Sequence, residues 1–518
     1  MKKRVLCAVI AAVSLFTLCA CDKREEKTTS NLKKGNVSYP IETDEKLTYW
    51  CVLPSQISTS VTNFGETPFA KNLAEATGIE VEYIHPSQGQ SNALNLLIAS
   101  GELPDIVFSE WIYQGPESCI NQNIIYKLDD YLADYAPNFK KFIEENDKYA
   151  KLVVDDNGNY YSFPFIRGDK VLCASAGLML RSDWLKDAGL EVPETVEEWD
   201  NVLAEFKKKC ETPLALTSDG IACFSSLYNA YNWNFLKNGK VSFGPVQPEY
   251  KDYMAKLHEW YKKGYIDKNY AIADAKIIDS NILNGVSGIT YGSGGSKMGV
   301  YLTTNQGGDF DFVAAPYPSA KKGQKATFAF VGSQYTVNSA AITTNCKHPE
   351  LAARFLDFGY SKEGAMFYNF GKEGESYNMV DGYPRYIAEL LDTSGGKTVA
   401  EKLALNSKGS TSGPFIQDRR YIEQYYTYKQ QLDAIEIWAD NDYDDYCVPS
   451  TTLTKEENEE YSTIMSEINT YATEMLNNII VGKDSVDSFD KHVENMYAMG
   501  LERAMEIQQK AYERYLNR

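Results

Sequence analysis

Apolar and polar positions near the start of the chain alternate in an order that predicts strand, helix and strand. Residues 47–53 are rich in β-branched and aromatic side chains, and residues 79–84 alternate apolar with acidic side chains, which is strand periodicity. Between them, Thr67 and Pro68 have the chemistry of a helix start and Gly78 that of a helix end. This segment therefore predicts a strand–helix–strand unit.

A second helix ends at Gly101, and the buried third strand is predicted at 104–108. Strands joined by helices in this way pair in parallel through right-handed crossovers, so the segment predicts half of a doubly wound α/β sheet. Ligands of open α/β sheets bind beyond the carboxyl ends of the strands. The residues just past the third strand, Glu110, Trp111 and Tyr113, are therefore candidates for a ligand site.

Later segments repeat helix and strand signals without an internal repeat. Thr195 with Glu198 and Thr454 with Glu457 have the spacing of a capping box ahead of an apolar stripe. Trp199 lies within the first of these stripes and is predicted to be a core residue. Further strands are predicted at 160–165, 178–180 and 286–291, and a pair of strands is predicted within 327–342. The glycine-rich run 292–297 lacks the Gly-Lys order of a phosphate-binding loop.

The N-terminus predicts export. Residues 1–20 join a basic start to a short apolar run, which fits a cleaved signal better than a membrane-spanning helix. The junction at 18–21 resembles a bacterial lipobox, and the resemblance implies acylation of Cys21 and attachment to the extracytoplasmic face of the cell membrane. A plain secretory signal is the alternative. Residues 21–44 are predicted to be a flexible tether.

Composition and charge exclude several classes of partner. The formal charge is −19, and loss of the leader's three cations makes the mature chain −22, which argues against nucleic acid or an anionic surface as the main partner. Seven cysteines follow Cys21 without metal-ligand spacing and are predicted to be free thiols, and the four histidines are dispersed. The acidic run 440–445 lacks the sixth-position glycine and the terminal glutamate of a calcium loop. No metal or cofactor is predicted.

Six segments, taken in order, resemble the family 1 extracellular solute-binding proteins, in particular the large lipoproteins that serve carbohydrate ABC importers. These segments are 99–106, 181–185, 193–199, 348–357, 371–377 and 508–515. The resemblance implies a two-lobe α/β fold of the type II periplasmic-binding class, with a hinge and a central cleft. Lobe 1 would comprise 45–160 and 326–372, and lobe 2 would comprise 161–325 and 373–518. It also implies a non-enzymatic monomer that binds a carbohydrate and delivers it to a permease.

A sugar site needs aromatic plates for the ring faces and polar side chains for the hydroxyls. The chain has 37 Tyr, 22 Phe and 7 Trp, so position must select among them. For each candidate an ordinary structural role is the alternative: a sheet-edge Trp, a surface ion pair or a turn. The predicted ligand-binding residues are Glu110, Trp111, Tyr113, Arg167, Asp169, Tyr228, Trp233, Tyr291, Glu373 and Trp438.

Two other functions remain open from the sequence. A surface-anchored glycoside hydrolase would also combine carboxylates with aromatic side chains, but no spacing here fixes a catalytic carboxylate pair. A binder of a peptide or another non-sugar ligand would have the same fold, because fold alone does not decide the ligand.

Overall fold

The computed structural model describes residues 32–87, 92–305, 309–392 and 394–518. The predicted leader 1–20 and the predicted lipidation site Cys21 lie outside the described residues. Fourteen strands occur in the described part of the chain: β1 (Lys46–Trp50), β2 (Glu80–Ile84), β3 (Ile106–Ser109), β4 (Phe163–Arg167), β5 (Ala176–Arg181), β6 (Leu214–Ala215), β7 (Asn234–Lys237), β8 (Lys240–Phe243), β9 (Ile289–Ser293), β10 (Phe312–Ala314), β11 (Tyr335–Ile342), β12 (Tyr377–Val380), β13 (Tyr383–Tyr386) and β14 (Ile416–Gln417).

The helices connect and cover these strands. Within the described residues they are α1 (Pro68–Thr77), α2 (Ala93–Ser100), α3 (Pro116–Asn121), α4 (Asp129–Tyr135), α5 (Pro137–Glu144), α6 (Asp147–Ala150), α7 (Ser182–Ala188), α8 (Val196–Lys207), α9 (Ser218–Ala222), α10 (Pro248–Lys262), α11 (Ala275–Leu283), α12 (Val300–Thr304), α13 (Pro349–Asp357), α14 (Lys362–Phe370), α15 (Ala388–Leu391), α16 (Val399–Asn406), α17 (Arg420–Tyr425), α18 (Lys429–Ala439), α19 (Lys455–Ile480), α20 (Phe489–Ala498) and α21 (Leu501–Leu516).

Local sequence signals explain where several helices begin and end. The Thr67 hydroxyl accepts a hydrogen bond from the Ala70 amide at the start of α1, and Gly78 ends that helix with a φ of 73°. Both predicted capping boxes form, at the start of α8 and at the start of α19. These predictions are confirmed.

The strands form two principal sheets. The larger has the order β14-β4-β11-β3-β1-β2 and the smaller the order β10-β5-β9-β6. In the larger sheet β1 pairs in parallel with both β2 and β3, whereas β11 runs antiparallel to β3 and β4. The predicted strand–helix–strand–helix–strand segment is therefore confirmed as one side of an α/β sheet, with the carboxyl ends of β1 and β3 at one edge.

Each sheet has its own hydrophobic core, which defines two lobes. The first lobe packs α1, α5 and α13 on the larger sheet, and the second packs α8, α10 and α19 around the smaller one. Trp199 is fully buried in the second core, as predicted, and so is Trp260. The first core extends beyond the predicted lobe boundary at residue 372, since it includes Ala404 and Phe415 and since β14 pairs with β4.

The chain passes between the two sheets three times. The first crossing (168–175) joins β4 to β5, the second (315–334) joins β10 to β11, and the third (418–428) joins β14 to α18, which packs on β5 and β10. Three crossings that lie side by side form a hinge on which two lobes can move relative to each other.

Part of the predicted tether contacts the first lobe. The Ile41 amide donates to the Thr77 carbonyl at 2.8 Å, and the Gly35 amide donates to the Asp134 carbonyl at 2.9 Å. Tyr39 donates its hydroxyl hydrogen to the Arg354 carbonyl. At these residues the structure shows a segment held on the lobe surface rather than a free chain.

Candidate functional site

Two cavities near the carboxyl-terminal edge of the larger sheet contain candidate residues: the larger of the two lies between the first lobe and the hinge crossings, and the smaller lies between the two lobes. The large cavity has a volume of about 620 Å³ and the small cavity about 420 Å³. Phe108, in β3, lines the large cavity, and Ile112 and Tyr113, just past β3, line the small one. Both volumes are in the range that holds small organic ligands.

Aromatic and hydroxyl side chains make up most of the large cavity. Phe64, Tyr83 and Tyr368 contribute from the first lobe, whereas Leu172 and Ser175 belong to the first crossing. The other lining residues are Tyr49, Cys51, Val52, Leu53, Pro54, Ser55, Gln56, Phe69, Leu73, Phe108, Phe165, Arg167, Thr336, Asn338, Phe355, Lys408, Ser410, Thr411, Ser412, Gly413, Pro414, Gln417 and Tyr421. The cavity therefore offers aromatic ring faces together with hydrogen-bonding groups from the first lobe and from the hinge crossings.

Lys408 and Arg167 are the cations of the large cavity, and none of the described residues that line it is Asp or Glu. The Lys408 ammonium lies 4.8 Å from the centre of the Phe64 ring. No hydrogen bond or ion pair from this ammonium to another described residue is present. Burial lowers the pKa of Lys408 to about 8, and the neighbouring Cys51 acts weakly in the opposite direction.

The loop that carries Lys408 is fixed by its own contacts. The Lys408 amide donates to the Tyr368 carbonyl at 2.6 Å, and the Gln417 side chain donates to the Gly409 carbonyl at 2.6 Å. The hydroxyl of Ser410, which also lines the large cavity, is buried and has no partner among the described residues. The loop therefore brings an ammonium without a polar partner to the cavity lining, and it also holds a buried hydroxyl that has no partner among the described residues.

Arg167 and Asp169 lie at the hinge, as the sequence predicted, but they do not pair with each other. The Arg167 side chain lines the large cavity and donates a long hydrogen bond of 3.4 Å to the Ser333 carbonyl of the second crossing. Asp169 instead pairs with Arg419 of the third crossing at 3.2 Å and caps the turn that follows it. Only Arg167 therefore faces a cavity.

The small cavity joins two of the predicted residues across the lobes. Tyr113 is 64% exposed and comes from the first lobe, whereas Trp233 comes from the second. The Trp233 indole donates to the Tyr443 hydroxyl at 2.9 Å, and its ring contacts Phe328 and Phe330.

The remainder of the small cavity is uncharged. Four amide side chains contribute to its lining, those of Asn234, Asn458, Asn469 and Gln508. The Asn234 amide nitrogen donates to Tyr461, while its carbonyl oxygen is buried without a partner among the described residues. Aromatic side chains together with uncharged amides are the composition that binds a neutral sugar ring and its hydroxyls.

Trp111 and Trp438 do not have the predicted position, because both are fully buried. Trp111 packs with Trp50, Leu94 and Tyr161, and its indole donates to the Val107 carbonyl at 2.9 Å. No ring face remains exposed for a sugar, so the role of Trp111 as a stacking plate is corrected to that of a core residue.

Trp438 is likewise fully buried. Its indole donates to the Leu178 carbonyl at 3.2 Å, and the ring packs closely against the β5 backbone at Gly177. A Cβ atom added at Gly177 would stand 2.3 Å from the Trp438 indole nitrogen, so this glycine permits the close contact. Trp438 is therefore also a core residue and not a third plate.

The other predicted residues line neither cavity. Glu110 is exposed beside the edge of the sheet, and Glu373 is exposed in a groove on the outer side of the first lobe with Asn72 and Lys362. Tyr228 is half-buried near Lys256.

Tyr291 is half-buried on β9. Its ring centre lies 5.7 Å from that of Phe330, which in turn contacts Trp233, so Tyr291 supports the small cavity from behind. Burial raises the pKa of its hydroxyl group well above the ordinary value.

Sequence reasoning missed most of the large cavity. The rule applied to the end of β3 applies equally to the end of β1, and it would have identified Cys51–Gln56. No local signal identifies Lys408, because only the tertiary fold brings the 408–414 loop to the ends of β1 and β4.

Among the described residues no cluster of His, Cys, Asp or Glu could hold a metal ion, and Asp440 of the acidic run pairs with Lys325. The seven cysteines of the described part are all free, as predicted.

Two α/β lobes, a three-segment hinge, and ligand-sized cavities beside the hinge and between the lobes define a two-lobe binding protein. The chain belongs to the bacterial extracellular solute-binding protein family, whose model matches residues 60–366. This membership confirms the family, the fold class and the prediction of a binding protein rather than an enzyme. It also identifies an extracytoplasmic protein.

Individual relatives agree with this assignment. The chain is similar to the fructooligosaccharide ABC transporter substrate-binding protein FusA of Streptococcus pneumoniae, with 25% identity over 98% of this chain and 97% of that protein. It is also similar to lipoprotein LipO of Bacillus subtilis, with 24% identity over 61% of this chain and 65% of that protein. The crystal structure of the alginate-binding protein AlgQ2 without calcium ion has the same fold, with a TM-score of 0.70, 22% identity and coverage of 91% of this chain and 99% of that one.

In the described ranges, no helix is both long enough and apolar enough to cross a membrane.

Proposed function

We propose that this chain is the substrate-binding lipoprotein of an ABC importer, and that it captures an oligosaccharide between its lobes. The lining of the small cavity carries this proposal. Tyr113 and Trp233 come from opposite lobes, and the amides around them can donate to and accept from sugar hydroxyls. A carbohydrate needs this combination of ring faces and amides.

Closure of the hinge provides the mechanism. Each lobe supplies part of the contacts, so a ligand that touches both lobes binds the closed arrangement more tightly than the open one and shifts the population toward it. A permease that recognises the closed arrangement then receives only loaded protein. The relatives support an oligosaccharide as the ligand, since FusA is named for fructooligosaccharides and AlgQ2 for alginate.

The anchor belongs to the same proposal. Cys21 in its lipobox-like context would carry the lipid and hold the protein at the extracytoplasmic face of the cell membrane, and the similarity to a lipoprotein supports this. We expect a monomer, because one chain contains both lobes. We place the return of the chain to the second lobe after Gln417 rather than after residue 372, since β14 still belongs to the larger sheet.

Calorimetry with the purified mature protein tests the function. A panel of neutral and acidic oligosaccharides and of peptides is titrated into wild type, Tyr113→Ala and Tyr497→Ala; Tyr497 is a 51%-exposed tyrosine on α20, away from both cavities. We expect saturable binding of an oligosaccharide that Tyr113→Ala weakens by at least tenfold and Tyr497→Ala leaves unchanged. Peptide binding alone, or conversion of the saccharide to products, would contradict the proposal.

A further inference from the structure

Among the described residues, the large cavity is lined by positively charged side chains and by no negatively charged one, and the proposed contacts to a neutral sugar do not explain this. The chain has a formal charge of −19, and acidic side chains outnumber basic ones 71 to 52. Even so, none of the described residues that line this cavity carries a carboxylate. Two cationic residues, Lys408 and Arg167, belong to the lining. A lining that carries cations and no carboxylate favours an anionic ligand over a cationic one.

Lys408 is the more informative of the two cations. Most lysines with resolved contacts in this structure pair with a carboxylate, as Lys256 pairs with Asp200 and Glu259. Lys408 is partly withdrawn from water, and its ammonium has no carboxylate partner among the described residues. Desolvation disfavours the charged form of such a group unless a partner compensates. The Phe64 ring compensates only in part, because a cation–π contact is weaker than an ion pair with a hydrogen bond.

The groups around Lys408 cannot supply that partner. Burial raises the pKa of the Cys51 thiol to about 12 and that of the Tyr83 and Tyr368 hydroxyls further, so these groups are neutral at physiological pH. Arg167 is a second cation. Ser410 belongs to the same lining, and its buried hydroxyl, which has no partner among the described residues, can donate to an anion.

We propose that the large cavity binds the anionic group of an acidic saccharide, and that Lys408, with Arg167 and Ser410, pairs with that group. The ligand would be an oligosaccharide bearing carboxylates, as in uronic acids, or sulfate or phosphate esters. The aromatic walls from Phe64 and Tyr83 would contact the ring that carries the anionic group. This inference rests on the proposed function and specifies the chemical class of its ligand.

Paired probes that differ only in charge test the proposal. The carboxylate arm compares oligogalacturonate and oligoalginate with their methyl esters, which keep the rings and remove the charge. The ester arm compares sulfated and phosphorylated oligosaccharides with their unmodified forms, and fructooligosaccharides serve as the neutral reference. Calorimetric titrations use the full mature chain as wild type, Lys408→Met and Lys276→Met. Lys276 is exposed on α11 and lines neither cavity, so its substitution controls for the loss of one surface charge.

At least one acidic probe should bind at least tenfold more tightly than its uncharged counterpart. Lys408→Met should remove at least tenfold of that preference and reduce the salt dependence of acidic binding. Lys276→Met should do none of these. The arm that responds identifies the anion as carboxylate or as sulfate or phosphate.

The outcomes separate this inference from the function on which it rests. Tight binding of a neutral saccharide, with no preference for any acidic form, overturns the inference and leaves the proposed function intact. The same holds if acidic binding is unaffected by Lys408→Met in a variant whose melting temperature shows that it is folded. If no saccharide binds to wild type, the proposed function and this inference both fail.

Discussion

The carboxylate of Asp169 lies 3.2 Å from the Nη1 atom of Arg419, and this ion pair connects the first crossing to the third. Each side chain is about one-third exposed, at 33% and 35% respectively. Arg419 also pairs with Glu423, one turn further along its own segment. Partly exposed pairs contribute about 1 kcal/mol or less to stability. We therefore expect this ion pair to hold two hinge segments together and to contribute little to the folding of the lobes.

Substitution of Asp169 by Asn should separate these two effects. We expect Asp169→Asn to change the free energy of unfolding by no more than about 1 kcal/mol, because the pair is solvent-screened. We expect it to weaken ligand binding severalfold, because a looser hinge has more freedom to lose on closure. Denaturant unfolding and calorimetry measure the two quantities. Arg503→Gln, which breaks an exposed pair with Glu460 away from the hinge, is the control, and equal affinity in both variants would refute the effect.

Trp111 and Tyr113 lie in the same turn, but Trp111 is a core residue and Tyr113 lines the small cavity, so their substitutions should differ in their effect on stability. Trp111→Ala should destabilise the protein by about 3–5 kcal/mol, because it removes a fully buried indole and leaves a cavity. Tyr113→Ala should cost less than about 1 kcal/mol, because the side chain is 64% exposed. Urea unfolding of both variants checks the contrast. Similar stability of the two would mean that the buried position of Trp111 is incorrect.

The helix and strand signals were predictable from the sequence because they are local. Thr67 and Gly78 act within a few residues of their own position, and the same is true of Thr195 with Glu198. A cap or a stripe at helical spacing needs no information about distant parts of the chain. For this reason the elements around the larger sheet, and through the family resemblance the two-lobe fold, could be predicted.

The site could be predicted only in part, because side-chain direction beyond a strand is not a local property. Trp111 was expected in the cleft since it follows β3, but a short 3-10 turn begins at that residue and directs the indole back to the Val107 carbonyl. Two positions later, Tyr113 does face a cavity. Lys408 is further out of reach, since its position beside Cys51 depends on contacts across more than 350 residues. Prediction of such a contact requires the assembled lobes.

The C-terminal helix is tied to the first lobe through Asp156. This carboxylate accepts hydrogen bonds from Arg514 at 2.8 Å, from Arg518 at 3.0 Å and from the Thr452 hydroxyl at 2.7 Å. Burial alone would raise the pKa of Asp156, but these hydrogen bonds and charges outweigh burial and lower it below 3.8.

Asp156→Asn should destabilise the protein by about 1–3 kcal/mol, the range for hydrogen bonds to a charged group. The folded-state pKa lies below the unfolded value, so the contribution of Asp156 is present above pH 4 and is lost as the pH falls through the folded-state pKa. The difference in melting temperature between wild type and Asp156→Asn should therefore be constant from pH 7 to pH 5 and shrink in stronger acid. Asp487→Asn, on an exposed turn, is the control. A difference that grows in acid would have the wrong sign.

Lys408 should destabilise the ligand-free protein, which is the opposite of its expected effect on binding. Its folded-state pKa of about 8 lies below its ordinary value of 10.5, so the charged form is disfavoured in the folded state. This cost is complete below pH 8 and disappears as the pH rises to 10.5, where the unfolded chain also loses the proton. Lys408→Met should therefore raise the free energy of unfolding by about 1–3 kcal/mol at pH 7 and by less at pH 9.5.

The measurement is the melting temperature of wild type, Lys408→Met and Lys276→Met at the two pH values, without ligand. The titratable thiol and hydroxyl groups around the cavity do not obscure the result, since Cys51, Tyr83 and Tyr368 all have raised pKa values. If removal of the Lys408 ammonium stabilises the empty protein but weakens the binding of an acidic ligand, the ammonium serves ligand binding rather than folding. Loss of stability in Lys408→Met at pH 7 would instead assign the ammonium a structural role.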